Sequence, residues 1–103
     1  MAISDIEERR GTYRLYDGQG DKLCDISEST AGELSGMGLE FAVFLKNGSY
    51  NLFDESGRKF GSFSASSVGD FRNANGNTIV FEKNNTVRTF NALTGKAIAS
   101  RSA

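Results

Sequence analysis

From Glu40 to Ser64 the chain reads "EFAVFLKNGSYNLFDESGRKFGSFS", short apolar spans alternating with polar positions and broken at "KNG" and "DESG". Alternation over a few residues rich in Phe, Tyr, Val and Leu is the pattern of half-buried strands. Gly, Asn and Asp at the breaks supply the positive φ and the side-chain hydrogen bonds that tight hairpin turns need. The pattern predicts strands near 40–46, 49–54 and 59–64, with a shorter fourth strand in "SVGDFRN", residues 67–73. No convincing helix emerges. The opening "SDIEERR" is the one candidate, and it is too short to be stable alone.

The same pattern recurs. "TYRLYDGQGDKLCDIS" begins at Thr12, "SYNLFDESGRKFGSFS" at Ser49 and "TVRTFNALTGKAIASR" at Thr86, each 37 residues after the last. "VFLKN" at Val43 falls on "VFEKN" at Val80, and "AGEL" at Ala31 falls on "VGDF" at Val68. Residues 12–37 and 49–74 share eight identities in 26 positions, too many for chance. Laid out without a gap, the alignment places Lys22, Lys59 and Lys96 together and sets Cys24 beside Gly61 and Ile98. A single domain of three units follows, 1–37, 38–74 and 75–103, each a four-strand antiparallel meander.

"NNTVRTFNALTGKAIAS", residues 84–100, resembles the third and fourth strands of a WD-type β-propeller blade, in which a Thr-Val-Arg strand runs to an aromatic and Asp or Asn before a Thr-Gly-Lys turn. The other two copies keep the turn but carry "YRLYD" and "YNLFD", and the chain has neither the Trp nor the Gly-His pair of that family. The resemblance implies an all-β, propeller-like array of blades. By strand count the chain would supply three strands of a first blade and two full blades. Three blades do not close a ring, and an open wedge is expected to leave two apolar faces in water. Two arrangements remove that difficulty: a six-blade ring shared by two chains, or a single-chain β-trefoil or β-prism. The charge gradient favours the first, since the three units carry −4, 0 and +3, complementary ends for a head-to-tail homodimer.

Composition limits the chemistry. The net charge of −1 argues against nucleic acid as a partner, and no apolar run near the start has the length of a signal peptide or a membrane span, so a cytoplasmic protein is expected. With no histidine and one cysteine there is no material for a zinc site of the usual kind or for a nucleophile–histidine pair, and neither a cofactor, a metal nor catalysis is expected. "DGQGD", Asp17 to Asp21, has two carboxylates that could face calcium, but its equivalent "DESGR" reads as a hairpin turn. The recurring aromatics Tyr13, Tyr16, Tyr50, Phe53, Phe60, Phe63 and Phe90 read as blade core, and Cys24 as a small buried residue.

One set of polar positions stands out. Arg14, Asn51 and Arg88 are equivalent by the 37-residue shift, and each lies between two strand residues expected to face the core. They would form a series of similar ligand-binding sites; alternatively they are cross-strand partners of acidic residues. The function expected is therefore a non-catalytic, lectin-like binding module acting as an oligomer on a carbohydrate or protein ligand. The alternative is a protein-interaction or assembly subunit with no small ligand.

Overall fold

The computed structural model describes residues 2–102, and almost all of that chain is strand or tight turn. The first sheet holds β1 (Asp5–Arg9), β2 (Thr12–Tyr16) and β3 (Lys22–Ser27). After a single helical turn, α1 (Glu28–Ala31), the second sheet holds β4 (Glu33–Met37), β5 (Phe41–Lys46), β6 (Ser49–Asp54) and β7 (Lys59–Ser64). A second helical turn, α2 (Ala65–Val68), leads to β8 (Asp70–Asn75), β9 (Thr78–Lys83), β10 (Thr86–Asn91) and β11 (Ala97–Ser102). All pairings are antiparallel between strands consecutive in sequence, in three separate sheets of three, four and four strands. None of the sheets closes on itself, so the closed barrel of a trefoil is not present among the described residues. No helix among them is long and apolar enough to cross a membrane.

The turns follow from their residues. β1–β2, β5–β6 and β9–β10 are joined by two-residue loops, Arg10-Gly11, Asn47-Gly48 and Asn84-Asn85, with φ of 53° and 80°, 52° and 77°, and 54° and 65°. Positive φ at both central residues defines the turn whose twist matches that of the flanking strands. The next turn is built on a carboxylate or amide: Asp17 Oδ1 accepts from the N–H groups of Gln19 and Asp21, and Asp54 Oδ1 from those of Ser56 and Arg58. Asn91 Oδ1 does the same for Leu93 and Thr94.

That third turn is one residue longer. Gly20 and Gly57 donate to the carbonyls of Asp17 and Asp54 three residues back, whereas Gly95 reaches Asn91 four residues back. The gapless alignment therefore fails at this point. Lys96 takes the place of Arg58, and the residue paired in β11 as Cys24 and Gly61 are paired in β3 and β7 is Ala99 and not Ile98. One further expectation needs correction: the chain does contain helix, as two single turns that carry it from one sheet to the next, while "SDIEERR" contributes strand β1, the first of the three strands expected in that unit.

Each crossover is pinned by a glycine. Gly32 and Gly69, at φ of 96° and 92°, end α1 and α2, and a Cβ on them would stand 2.4 Å from the Leu45 carbonyl oxygen and 2.3 Å from that of Glu82. Only glycine allows both that backbone conformation and that approach. A tyrosine then ties sheet to sheet. Tyr13 Oη donates to the Gly32 carbonyl at 2.8 Å and accepts from Leu34 N–H at 3.2 Å, while Tyr50 Oη accepts from Phe71 N–H at 3.1 Å.

The core lies between the sheets in two slabs. Tyr13, Leu15 and Ile26 of the first sheet meet Ala42, Phe44 and Phe53 of the second. The second sheet's other face, with Phe41, Val43, Tyr50 and Leu52, meets Ile79, Phe81 and Phe90 of the third. The aromatic rings pack tilted or edge to face, as Phe44 on Phe53 with centroids 5.4 Å apart and Phe63 on Phe90 at 5.2 Å. Two of the aromatics expected in the core are elsewhere: Tyr16 is half-buried on the first sheet's outer face, and Phe60 is exposed.

The two outermost faces carry mainly polar side chains, contrary to the expectation of apolar ends, although Val80 and Val87 lie on that of the third sheet. On the first sheet Asp5, Glu7 and Arg14 occupy the register positions that Ala42, Phe44 and Asn51 hold in the second. On the third sheet Thr78, Glu82, Thr89 and Arg101 stand where the second has Phe41, Leu45, Leu52 and Phe63. The ion pair of Arg72 with Glu82, 2.9 Å, belongs to this end of the molecule.

Candidate functional site

The residues singled out in the sequence fall into two classes. Asn51, on β6, and Arg88, on β10, each line a cleft at the rim where two sheets meet. Arg14 does not. It lies on the outer face of the first sheet, with no sheet against that face among the described residues, and its cross-strand neighbours are Glu7 and Asp25. For Arg14 the alternative of a partner for acidic residues describes the surroundings it has.

The two clefts are built alike. The first, of about 480 Å³, is lined by Thr30, Lys46, Asn47, Ser49 and Asn51, with Phe53 and Lys59 beyond them. The second, of about 350 Å³, is lined by Ser67, Lys83, Asn84, Thr86 and Arg88, each 37 residues after its counterpart. One wall is the helical turn leaving the preceding sheet, and the other is the two-residue hairpin loop with its left-handed asparagine. Lys46 Nζ donates to the Ser29 carbonyl, and Lys83 Nζ to that of Ser66, so each lysine spans its cleft from hairpin to helical turn. An ammonium group has three donors, and these bonds leave capacity for a ligand.

The floors differ. Asn51 is buried, 8% exposed, and its amide carries both donor and acceptor atoms into the first cleft. Arg88 lies over the Phe90 ring at 5.6 Å and donates through Nη2 to the Ser67 carbonyl at 2.6 Å. The guanidinium thus reaches across the second cleft, which is the smaller. Neither cleft has an acidic side chain in its lining, and each has two cationic ones. The arrangement can hold hydroxyl-rich or anionic groups by hydrogen bonds and charge, and it contains no nucleophile paired with a base.

Of the residues that line the clefts, the sequence singles out Asn51 and Arg88, and not Lys46, Asn47, Lys83 and Asn84. The signal was present in the aligned "VFLKN" and "VFEKN" strings, which show Lys-Asn at both hairpins. Asp17 Oδ1, in the loop weighed for calcium, is occupied by its own backbone, accepting from Gln19 and Asp21 at 2.9 and 3.0 Å. Cys24 is half-buried beside the Gly57 turn, and burial, then the charges of Asp25 and Asp54, push its thiol pKa up, which keeps it protonated. A scan against protein-family models and a search of curated proteins each find no match to the chain.

Proposed function

We propose that the protein is a non-catalytic, lectin-like binding module whose two clefts take saccharides bearing an acidic group. The observation that carries this reading is the duplication: a polar cleft of the same residue plan, cationic and free of acidic side chains, occurs at both sheet junctions. Phe53 is in the lining of the first cleft, where the apolar face of a sugar can approach it, while Asn51 and the lysines there, and Lys83 and Arg88 in the second cleft, bond hydroxyl and carboxylate groups. The sheets themselves we read as blades of a propeller-type array, with β4 and β8 side by side, Phe71 against Gly36, and β3, β7 and β11 at the far edges. The polar outer faces weigh against a six-blade ring shared by two chains, because its junctions would bury Asp5, Glu7, Glu82 and Arg101.

The test is titration calorimetry with neutral and uronic or sulfated oligosaccharides on the native chain and on Asn51→Ala and Arg88→Ala. Binding of the acidic sugars alone, weakened by salt, with each substitution removing one of two sites, is the expected result. Equal binding of neutral sugars, or binding that neither substitution changes, refutes the reading. A protein-interaction role is the second reading, and the free edge of β1 favours it.

A further inference from the structure

The three sheets differ in one respect that bears on partners. β5 and β9 are paired on both sides, by β4 and β6 and by β8 and β10. Their equivalent in the first sheet, β1, is paired by β2 alone, and its other edge carries no strand among the described residues. An unpaired edge presents a row of backbone donors and acceptors to any extended segment.

The missing neighbour's requirements are written in the other two sheets. β4 and β8 run antiparallel to β5 and β9, and both make a bulge, between Leu34 and Gly36 and between Phe71 and Asn73. In the third sheet the bulge residue is Arg72, and its guanidinium pairs with Glu82 at 2.9 Å. The residue of β1 in the register position of Glu82 is Glu8. Around it β1 is acidic on balance, with Asp5, Glu7 and Glu8 against Arg9, all four exposed. After the bulge comes Gly36 in the second sheet, which lies against the Phe71 ring so closely that a Cβ there would stand 2.8 Å from it. By the same relation a strand added beside β1 places its post-bulge residue opposite Ile6 and against Leu34, which calls for a small side chain.

We propose that the edge of β1 binds an extended, basic peptide segment of a partner protein as a fourth antiparallel strand, with Lys or Arg at the bulge facing Glu8 and a small residue following it. Backbone pairing supplies most of the affinity, and the carboxylates of β1 supply selectivity for a basic strand.

The probe is the synthetic peptide GKFRGANG, the sequence of residues 69–76 with Lys in place of Asp70 and Gly in place of Asn73, which is basic and carries the arginine and a small residue in the stated order. Fluorescence anisotropy with the labelled peptide and hydrogen exchange of the intact chain give two independent readouts. Binding is expected together with slowed exchange of amides in residues 5–9, and Glu8→Gln is expected to weaken it by up to about fivefold, the upper end for an exposed ion pair. Glutamine keeps an acceptor for the Gly11 N–H that Glu8 now holds at 3.1 Å, so the loop is not disturbed. N-methylation of alternate peptide nitrogens on the pairing edge should abolish binding. Affinity that survives both the methylation and Glu8→Gln overturns the proposal, as does failure of the peptide to bind at millimolar concentration. A stable dimer in which residues 5–9 are already protected would assign the edge to a second copy of the chain. None of these outcomes depends on saccharide binding at the clefts.

Discussion

Replacement of Gly69 by alanine isolates the contact on which the docking of the third sheet depends. At φ 92° and ψ −142° the residue occupies a region that is essentially closed to side chains, a cost of about 1–3 kcal/mol for alanine. The added Cβ would meet the Glu82 carbonyl oxygen at 2.3 Å and Lys83 Cβ at 2.6 Å. The first of these is backbone, held in the β9–β10 ladder, and cannot swing aside. Forcing β9 away adds an overpacking cost of about 1–3 kcal/mol, for a total of about 2–6 kcal/mol against the 5–15 kcal/mol that typically holds a domain together. Gly48→Ala is the control: its φ is also positive, 77°, but nothing lies within 4 Å of its Cβ position. It carries only the conformational cost of about 1–2 kcal/mol. Urea unfolding followed by far-UV circular dichroism measures both, and Gly69→Ala should be the more destabilising by the overpacking cost of about 1–3 kcal/mol. Equal shifts would mean that α2 does not pack on β9 as described. Gly32→Ala, with the same approach to Leu45, should behave like Gly69→Ala.

Two further outcomes are expected. Tyr13→Phe removes the acceptor for Leu34 N–H and the donor to Gly32, and should cost about 1–3 kcal/mol. Burial first, opposed by the Leu34 hydrogen bond, raises the Tyr13 pKa above 10.0, so its share of stability is complete below pH 10 and is lost as pH rises through the folded value. The phenylalanine variant should show less alkaline destabilisation in pH-dependent melts. At Asp54 burial acts to raise the pKa, but the bonds from Ser56 Oγ, Arg58 N–H and Ser56 N–H and the charge of Arg58 together lower it. Its stabilisation is then present above the ordinary carboxylate range and lost as pH falls through the depressed value, and Asp54→Asn should remove that acid-labile component from urea titrations at pH 2–5.

Strands and hairpins could be read from the sequence because each is local. "KNG" and "DESG" specify their turns within four residues, and the strands at 49–54 and 59–64 fall where alternation puts them. The inserted residue of the third turn was also within reach, since Gly95, 38 residues after Gly57, marks it; a gapless comparison hides such a step. Other features depend on which sheet stands beside which. Asn51 and Arg88 are equivalent to Arg14 along the chain, but a cleft needs a preceding helical turn as its second wall, and Arg14 has none. The helical turns carry Ser, Thr and Ala with no period to betray them. They form because the chain must step from the far edge of one sheet to the near edge of the next within five residues.

The outer faces determine whether the array stands alone. Every interior slab is made by a face with aromatic and aliphatic residues, and several of the equivalent positions at the two ends have been exchanged for charge and hydroxyl, Phe44 for Glu7, Leu45 for Glu82 and Phe63 for Arg101, while Val80 and Val87 stay aliphatic at the Val43 and Tyr50 positions. In stacked repeat proteins generally, polar outer faces on the terminal units limit further association. The native chain is therefore expected to run as a monomer near 11.2 kDa in light scattering at micromolar concentration. Restoring the interior side chains to one end, in the triple variant Thr78→Phe, Glu82→Leu, Arg101→Phe, adds three large apolar groups to one surface. Burying each in an interface yields about 1.5–3 kcal/mol, and a micromolar dissociation constant corresponds to about 8 kcal/mol net. Self-association of the variant in the tens to hundreds of micromolar is the expected result, growing with temperature as hydrophobic contacts do. A native chain that is already a stable dimer at micromolar concentration would show that the charged faces pair with each other, −4 against +3, and that the array is completed by a second copy.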